Sequence, residues 1–126
     1  MPTADEMRSV VDKYIDLVAN GTAEQITERY ADNATVEDPI GTPPHEGRQA
    51  VLDFYKVIDP FKRSTELRSF KAAGNVAVFE FHIVTHFDAM TIELSPVDIM
   101  EFDDSGKVVR MRALWGPEDM VRKDVN

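Results

Sequence analysis

The chain has 126 residues, 23 acidic against 14 basic, for a formal net charge of −9, with 43% hydrophobic and 29% charged residues and no cysteine. That length holds one domain, residues 1–126, and the composition is that of a folded chain rather than a disordered one. An acidic balance without a basic cluster excludes a surface that tracks phosphates, so no nucleic acid partner is expected. The lack of cysteine excludes disulfides, a thiolate nucleophile and a cysteine-based zinc site.

The N-terminal run MPTADEMRSVVDKYID carries acids early and no apolar segment of leader length, and no later run approaches a membrane span. A cytoplasmic chain with no membrane contact is therefore expected. Thr3 followed by Glu6 is a capping-box start, and Met7, Val10, Val11, Tyr14, Leu17 and Val18 then recur at helical spacing up to Asn20-Gly21. Thr22 and Gln25 make a second capping box, opening a short helix on which Ile26 and Tyr30 would share a face.

The run Thr35-Val36-Glu37-Asp38 has β-branched content and alternation, so it predicts a strand with Val36, Asp38 and Ile40 on one side. Pro39 keeps Asp38 out of the helical region, and Gly41, Pro43, Pro44 and Gly47 mark a loop. A carboxylate at a strand end, among apolar neighbours and on stiff backbone, is where a general base would sit. The plainer reading is a turn aspartate with its side chain in water. Beyond the loop, Val51, Phe54, Tyr55 and Ile58 predict a third helix that ends at Asp59-Pro60.

From Thr65 the pattern changes to period two, with runs at Thr65–Ala72, Asn75–Phe87, Met90–Phe102 and Lys107–Trp115 and short turn-like separators. These predict an antiparallel meander. Ala77, Phe79, Phe81 and Ile83 share one face of the second run, and Val109, Met111, Ala113 and Trp115 share one face of the last. In Met90–Phe102, Ile92, Leu94, Pro96, Asp98, Met100 and Phe102 fall together, which sets Asp98 on the apolar face. An ionised, unpaired carboxylate there costs several kcal/mol or more, so Asp98 must be paired, wet or protonated. Pro117–Asn126 reads as a tail or an edge. Helices followed by strands give an α+β domain, three N-terminal helices packed on a curved, mostly antiparallel sheet.

Two carboxylates and Tyr14, Tyr30 and Tyr55 thus map to predicted apolar faces. Each tyrosine alone reads most simply as a packing residue with a satisfied hydroxyl. Together, a tyrosine hydroxyl and a neutral carboxylic acid can both donate to an oxygen that becomes negative while an ionised carboxylate moves a proton from carbon, which describes an enolisation site. His82 and His86 lie on the strand face opposite Phe79 and Phe81 without a third ligand, and His45 reads as a solvated loop residue, so no metal is expected. Ser95 and the other serines sit in no nucleophile-elbow context, and Arg110 and Arg112 point outward from the last strand.

Tyr14 in VVDKYIDLV, the segment YADNATVEDPIG with Tyr30 and Asp38, the pair Phe54-Tyr55, and SPVDIMEFDDSGKVVRMRALWG with Asp98 and Trp115 together resemble the Δ5-3-ketosteroid isomerases. That family lies within the cystatin-like, nuclear transport factor 2-like superfamily of cone-shaped α+β folds, and the resemblance covers nearly the whole chain. It implies that Asp38 is the base that moves a proton between two carbons of a 3-oxo-Δ5-steroid. It implies further that Tyr14 and protonated Asp98 donate to the dienolate oxygen, with Tyr30 and Tyr55 behind Tyr14. Phe54, Phe81, Ile83, Leu94, Met111, Ala113 and Trp115 would wall a pocket for the flat hydrocarbon substrate. The resemblance also implies a homodimer paired through the sheet, with no cofactor or metal. It raises a cis Asp38–Pro39 bond, which occurs in only about 5–6% of such bonds generally. Residues 56–63 and 82–91 depart from the family pattern near the substrate's far end. A hydrolase, dehydratase or cyclase on the same fold, or a non-catalytic binding module, remain the alternatives. A water-activating enzyme would be expected to carry a second base or a His–Asp pair in its pocket.

Overall fold

A computed structural model describes residues 1–125. The chain runs α1 (Ala4–Asn20), α2 (Ala23–Thr27), β1 (Tyr30–Glu37), β2 (His45–Glu46), α3 (Arg48–Lys56), β3 (Lys62–Ala73), β4 (Val76–His86), β5 (Met90–Leu94), β6 (Val97–Phe102), β7 (Val108–Leu114) and β8 (Val121–Asp124). Both capping boxes form. Thr3 Oγ1 accepts from the Glu6 amide at 3.1 Å while Glu6 Oε1 accepts from the Thr3 amide at 2.9 Å, and Thr22 and Gln25 repeat the exchange at 3.2 and 3.0 Å. Each box satisfies amides that a helix start leaves without partners. On α1, Met7, Val11, Tyr14, Leu17 and Val18 are buried as the stripe requires, Ile15 joins them, and Val10 is half-buried.

Three local expectations change. Tyr30 is the first residue of β1 rather than part of α2: it pairs with Val108, and the Val108 amide donates to the Arg29 carbonyl at 3.0 Å, so pairing with a distant strand ends the helix early. Ile58 lies in the turn beyond α3, not on its face. The Met90–Phe102 run is two strands, broken at Ser95-Pro96. β3 pairs along the whole of β4, so β5 and β6 take the other edge of β4 in succession, β5 against Ile83–His86 and β6 against Val76–Glu80. Past the break the far edge changes partner from β8 to β7. The inward parity of Leu94, Pro96 and Asp98 survives because the alternation stays in phase through the proline.

The sheet order is β2-β1-β7-β6-β4-β5-β8, with β3 on the other side of β4. The antiparallel meander forms as expected from β3 through β7, and β1 extends it at the edge of β7, a parallel pairing that brings the end of β1 beside the end of β7. A bulge between β6 and β7 leaves Val109 without a Cα partner, so Val108 is buried in its place. The helices cover one sheet face: α1 packs on β3 and β4, α3 on β1, and α2 on α3. Between the layers lie Met7, Val11, Ile26, Val36, Val51, Phe79, Met100 and Met111, all fully buried. Residues 121–124 form the β8 edge, whereas Asn126, the end of the expected tail, lies outside the described residues. No helix among the described residues is long and apolar enough to cross a membrane.

Candidate active site

Three buried tyrosines from three elements meet behind the sheet. Tyr14 sits on α1, Tyr55 on α3 and Tyr30 at the start of β1, with Tyr14 Oη to Tyr55 Oη at 3.0 Å and Tyr30 Oη to Tyr55 Oη at 2.6 Å. Burial raises all three hydroxyls well above the ordinary tyrosine value, so they are neutral proton donors. Each has a single proton. If Tyr14 gives its own to a ligand, Tyr55 donates to Tyr14 and Tyr30 donates to Tyr55. The ring of Tyr14 is fixed edge-on against Phe79 and Phe81, at centroid separations of 6.2 and 6.4 Å.

Asp38 follows β1 directly, at a cis Asp38–Pro39 bond. The loop is held from both sides: the Ile40 amide donates to the Ala113 carbonyl at 2.8 Å, and Glu37 Oε2 accepts from the Gly41 amide at 2.9 Å, where Gly41 has φ 103°. Glu37 Oε1 accepts from Arg112 Nε at 3.2 Å, so Arg112 on the outer face also braces this loop. The indole N–H of Trp115 donates to Asp38 Oδ1 at 2.7 Å. Burial raises the pKa of Asp38, against which the Trp115 bond and His45 favour its ionised form. His45 belongs to β2, half-buried and stacked 4.7 Å from Phe54, rather than being a solvated loop residue.

Asp98 lies on β6 between Phe79 of β4 and Ala113 of β7. It is 2% exposed, and its Oδ1 has no hydrogen-bond partner among the described residues. Burial pushes its pKa well above the usual carboxyl value and the charge of Asp38 adds to the push, so its neutral acid form is favoured.

Both carboxyls and the outer tyrosine open into one cavity of about 260 Å³. Its lining includes Tyr14, Asp38, Asp98 and Tyr55, together with Phe54, Phe81, Ile83, Leu94 and Trp115 as expected walls. Tyr30 does not reach it and stands behind Tyr55. Met111 and Ala113, expected as walls, are core residues instead: both are fully buried and neither reaches the cavity, which the chain meets only at Trp115, just beyond the end of β7. Val18, Val57, Ile58 and Pro96 line the cavity without having been singled out from sequence. Val18 was legible as one turn along the stripe from Tyr14, Pro96 as in phase with Asp98 and Ile58 as part of the stripe that holds Phe54, whereas Val57 depends on a turn that periodicity does not describe.

On the outer sheet face, His82 Nδ1 lies 2.7 Å from Ser95 Oγ and His82 Nε2 lies 3.0 Å from Glu93 Oε1, with Lys123 Nζ 2.7 Å from Glu93 Oε2. None of these residues lines the cavity that holds Asp38 and Asp98. No three His, Cys, Asp or Glu residues among those described converge in a metal-binding group.

A family model described as the SnoaL-like domain matches residues 11–111. A steroid delta-isomerase of Nocardioides simplex is 39% identical over 116 residues, 92% of this chain and 94% of that protein. Among solved structures, SalBIII, an epoxide hydrolase/cyclase-like enzyme of pyran ring formation in the polyether salinomycin, superposes with a TM-score of 0.88 at 24% identity, over 95% of this chain and 98% of that one. The RV0760c protein of Mycobacterium tuberculosis gives 0.87 at 17% identity, over 98% of this chain and all of that one. Those two likenesses concern the fold. The match over residues 11–111 and the 39% identity show that the chain belongs to the ketosteroid isomerase family of SnoaL-like, nuclear transport factor 2-like domains.

Proposed function

We propose that this protein converts 3-oxo-Δ5-steroids to the conjugated 3-oxo-Δ4 isomers by moving one proton within the substrate. The observation that carries the reading is the presence, in one apolar cavity, of two carboxyls beside a neutral tyrosine hydroxyl, one bonded to an indole N–H and the other more deeply buried with an unpartnered oxygen among the described residues. The similarity to a protein named for this reaction supports it. Asp38, ionised, takes the proton from the carbon between the ketone and the double bond. The electron pair of the broken C–H bond moves into the conjugated system and the ketone oxygen becomes the dienolate oxygen. Tyr14 and neutral Asp98 donate to that oxygen, and Asp38, now protonated, returns the proton two carbons further on. Burial strengthens Asp38 as a base, while the Trp115 N–H keeps its carboxylate aimed and ionisable. A water-activating enzyme would be expected to keep a histidine–acid pair in the cavity, and the His82–Glu93 pair lies outside it. The homodimer expected of the family would pair through the outer sheet face. There Val78 and Leu114 are exposed and, together with Val97 and Ile99, make an apolar strip across β4, β6 and β7.

Four outcomes are expected. Asp38→Asn lowers turnover of a 3-oxo-Δ5-steroid by about 10²–10⁴-fold, the usual worth of a general base, with the fold intact; near-normal turnover removes Asp38 from that role. Asp98→Leu, which deletes one oxyanion donor, costs about 2.7–4 kcal/mol in the chemical step, and full activity would make Asp98 structural only. Because folding raises the Asp98 pKa, the native state holds its proton where the unfolded chain has lost it. Stability therefore falls as pH rises from the ordinary carboxyl value through the raised one, by at most about 1.4 kcal/mol per pH unit for this group. Asp98→Asn should flatten that part of a denaturation series, and unchanged slopes would show that Asp98 ionises in the fold. Sedimentation of the wild type should give twice the chain mass and that of Val78→Glu a smaller species; a wild-type monomer contradicts the pairing.

A further inference from the structure

Arg63, the second residue of β3, is 7% exposed, and its hydrogen bonds end on backbone carbonyls rather than on a carboxylate. Nε donates to the Val18 carbonyl at 2.7 Å and Nη2 to the Gly21 carbonyl at 3.0 Å, both at the C-terminal end of α1. Carbonyls there lack helical partners and carry the negative end of the helix dipole, so a cation is favoured. Nη1 reaches the other way, to the carbonyls of Ile58 at 2.7 Å, Phe61 at 3.0 Å and Asp59 at 3.5 Å, in the turn beyond α3. Asp59 in turn accepts from the Ala23 amide at 2.9 Å, tying in the start of α2. One planar fork of donors therefore joins segments that have no helical ladder between them, a task for which a lysine ammonium has too few fixed directions.

Those segments carry the outer walls of the cavity. Val18, Val57 and Ile58 all line it, and Val57 is 69% exposed, which marks the mouth. Ile83 of β4 and its partner Leu94 also line the cavity, at the Arg63 end of the sheet, since β3 pairs Thr65 with Ile83 and Arg63 with Thr85. Ile83 stands four residues along β4 from Phe79, the partner of Asp98, a distance of about 13 Å at roughly 3.3 Å per residue. The mouth is thus the end far from the oxyanion donors, and its named walls are all aliphatic. The turn is also held laterally, since the Phe61 ring packs at a tilt against Phe87 with centroids 4.5 Å apart. At about 260 Å³ the cavity is smaller than the roughly 300–1,000 Å³ usual for drug-sized ligands, so a four-ring substrate extends into the mouth.

We infer that Arg63 is a positioning residue which sets the width of the cavity mouth by holding the Val57–Phe61 turn against the end of α1, and so determines which far-end substituents the enzyme accepts, with aliphatic ones favoured. This rests on the isomerase reading. Arg63 touches no reacting atom and acts only through the walls.

The test compares wild type, Arg63→Met and Arg63→Lys on two 3-oxo-Δ5-steroids, one bearing hydrogen and the other a branched alkyl chain at the far end. In the wild type the alkyl substrate has the lower KM. Arg63→Met should raise KM for the alkyl substrate several-fold, with a smaller change for the hydrogen substrate and kcat within about twofold for both, the pattern of lost uniform binding. Arg63→Lys should shift the same ratio less, and it reads the inference if the Met variant does not fold. Folded variants with an unchanged KM ratio, or with equal losses of kcat on both substrates as general loosening would give, overturn it. Trp115, the single tryptophan, lines the cavity, so its fluorescence gives the Kd of the matching 3-oxo-Δ4-steroids without turnover. Absence of wild-type turnover would sink the isomerase reading, and the Kd ratio would still decide the role of Arg63.

Discussion

A carboxyl group buried in an apolar cavity, with one oxygen that finds no hydrogen-bond partner among the described residues, is the constraint on which this site depends. Asp98 can occupy its place between Phe79 and Ala113 at modest cost only as the neutral acid. A neutral acid is a donor, so the physics that makes Asp98 a poor anion makes it a good partner for an oxygen acquiring charge. Asp38, less deeply buried, bonded to an indole N–H and near His45, is left as the group able to ionise. Each carboxyl also influences the other, because a negative Asp38 makes ionisation of Asp98 harder still.

The fold supplies this asymmetry through its topology. Parallel pairing of β1 with β7 brings Asp38, just beyond the end of β1, beside Trp115, just beyond the end of β7. Past the break at Ser95-Pro96, β6 runs between β4 and β7, so Asp98 lies on an interior strand with no free edge beside it. The tyrosine chain adds a directional element. With one proton per hydroxyl, a Tyr14 that donates to a ligand requires Tyr55 to donate to Tyr14 and Tyr30 to Tyr55, and linked donors polarise one another in a low-dielectric interior.

Much of this was legible in the sequence because it is local. The capping boxes at Thr3 and Thr22, the stripe that buries Tyr14, and the parity that turns Asp98 inward follow from spacing alone. What escaped is non-local or involves backbone acceptors. Tyr30 fits a helix by its distance from Ile26, and only pairing with Val108 makes it a strand residue. The alternation runs in phase through Pro96, so the break between β5 and β6 leaves no mark on the pattern, and one bulge exchanges Val108 for Val109. Met111 and Ala113 have the right parity for the cavity but are buried in the core, and parity gives the face of a residue without saying which part of that face the cavity occupies. The partners of Arg63 are carbonyls, which carry no side-chain identity to read.

The most direct test of the neutral carboxyl is the difference infrared spectrum of wild type minus Asp98→Asn at neutral pH. The account requires a band of a protonated carboxylic acid in the wild type that disappears in the variant, at a pH where an ordinary aspartate is fully ionised. A difference showing only the loss of a carboxylate band would mean that Asp98 is charged in the fold, and the proposed oxyanion site would then lack its second donor.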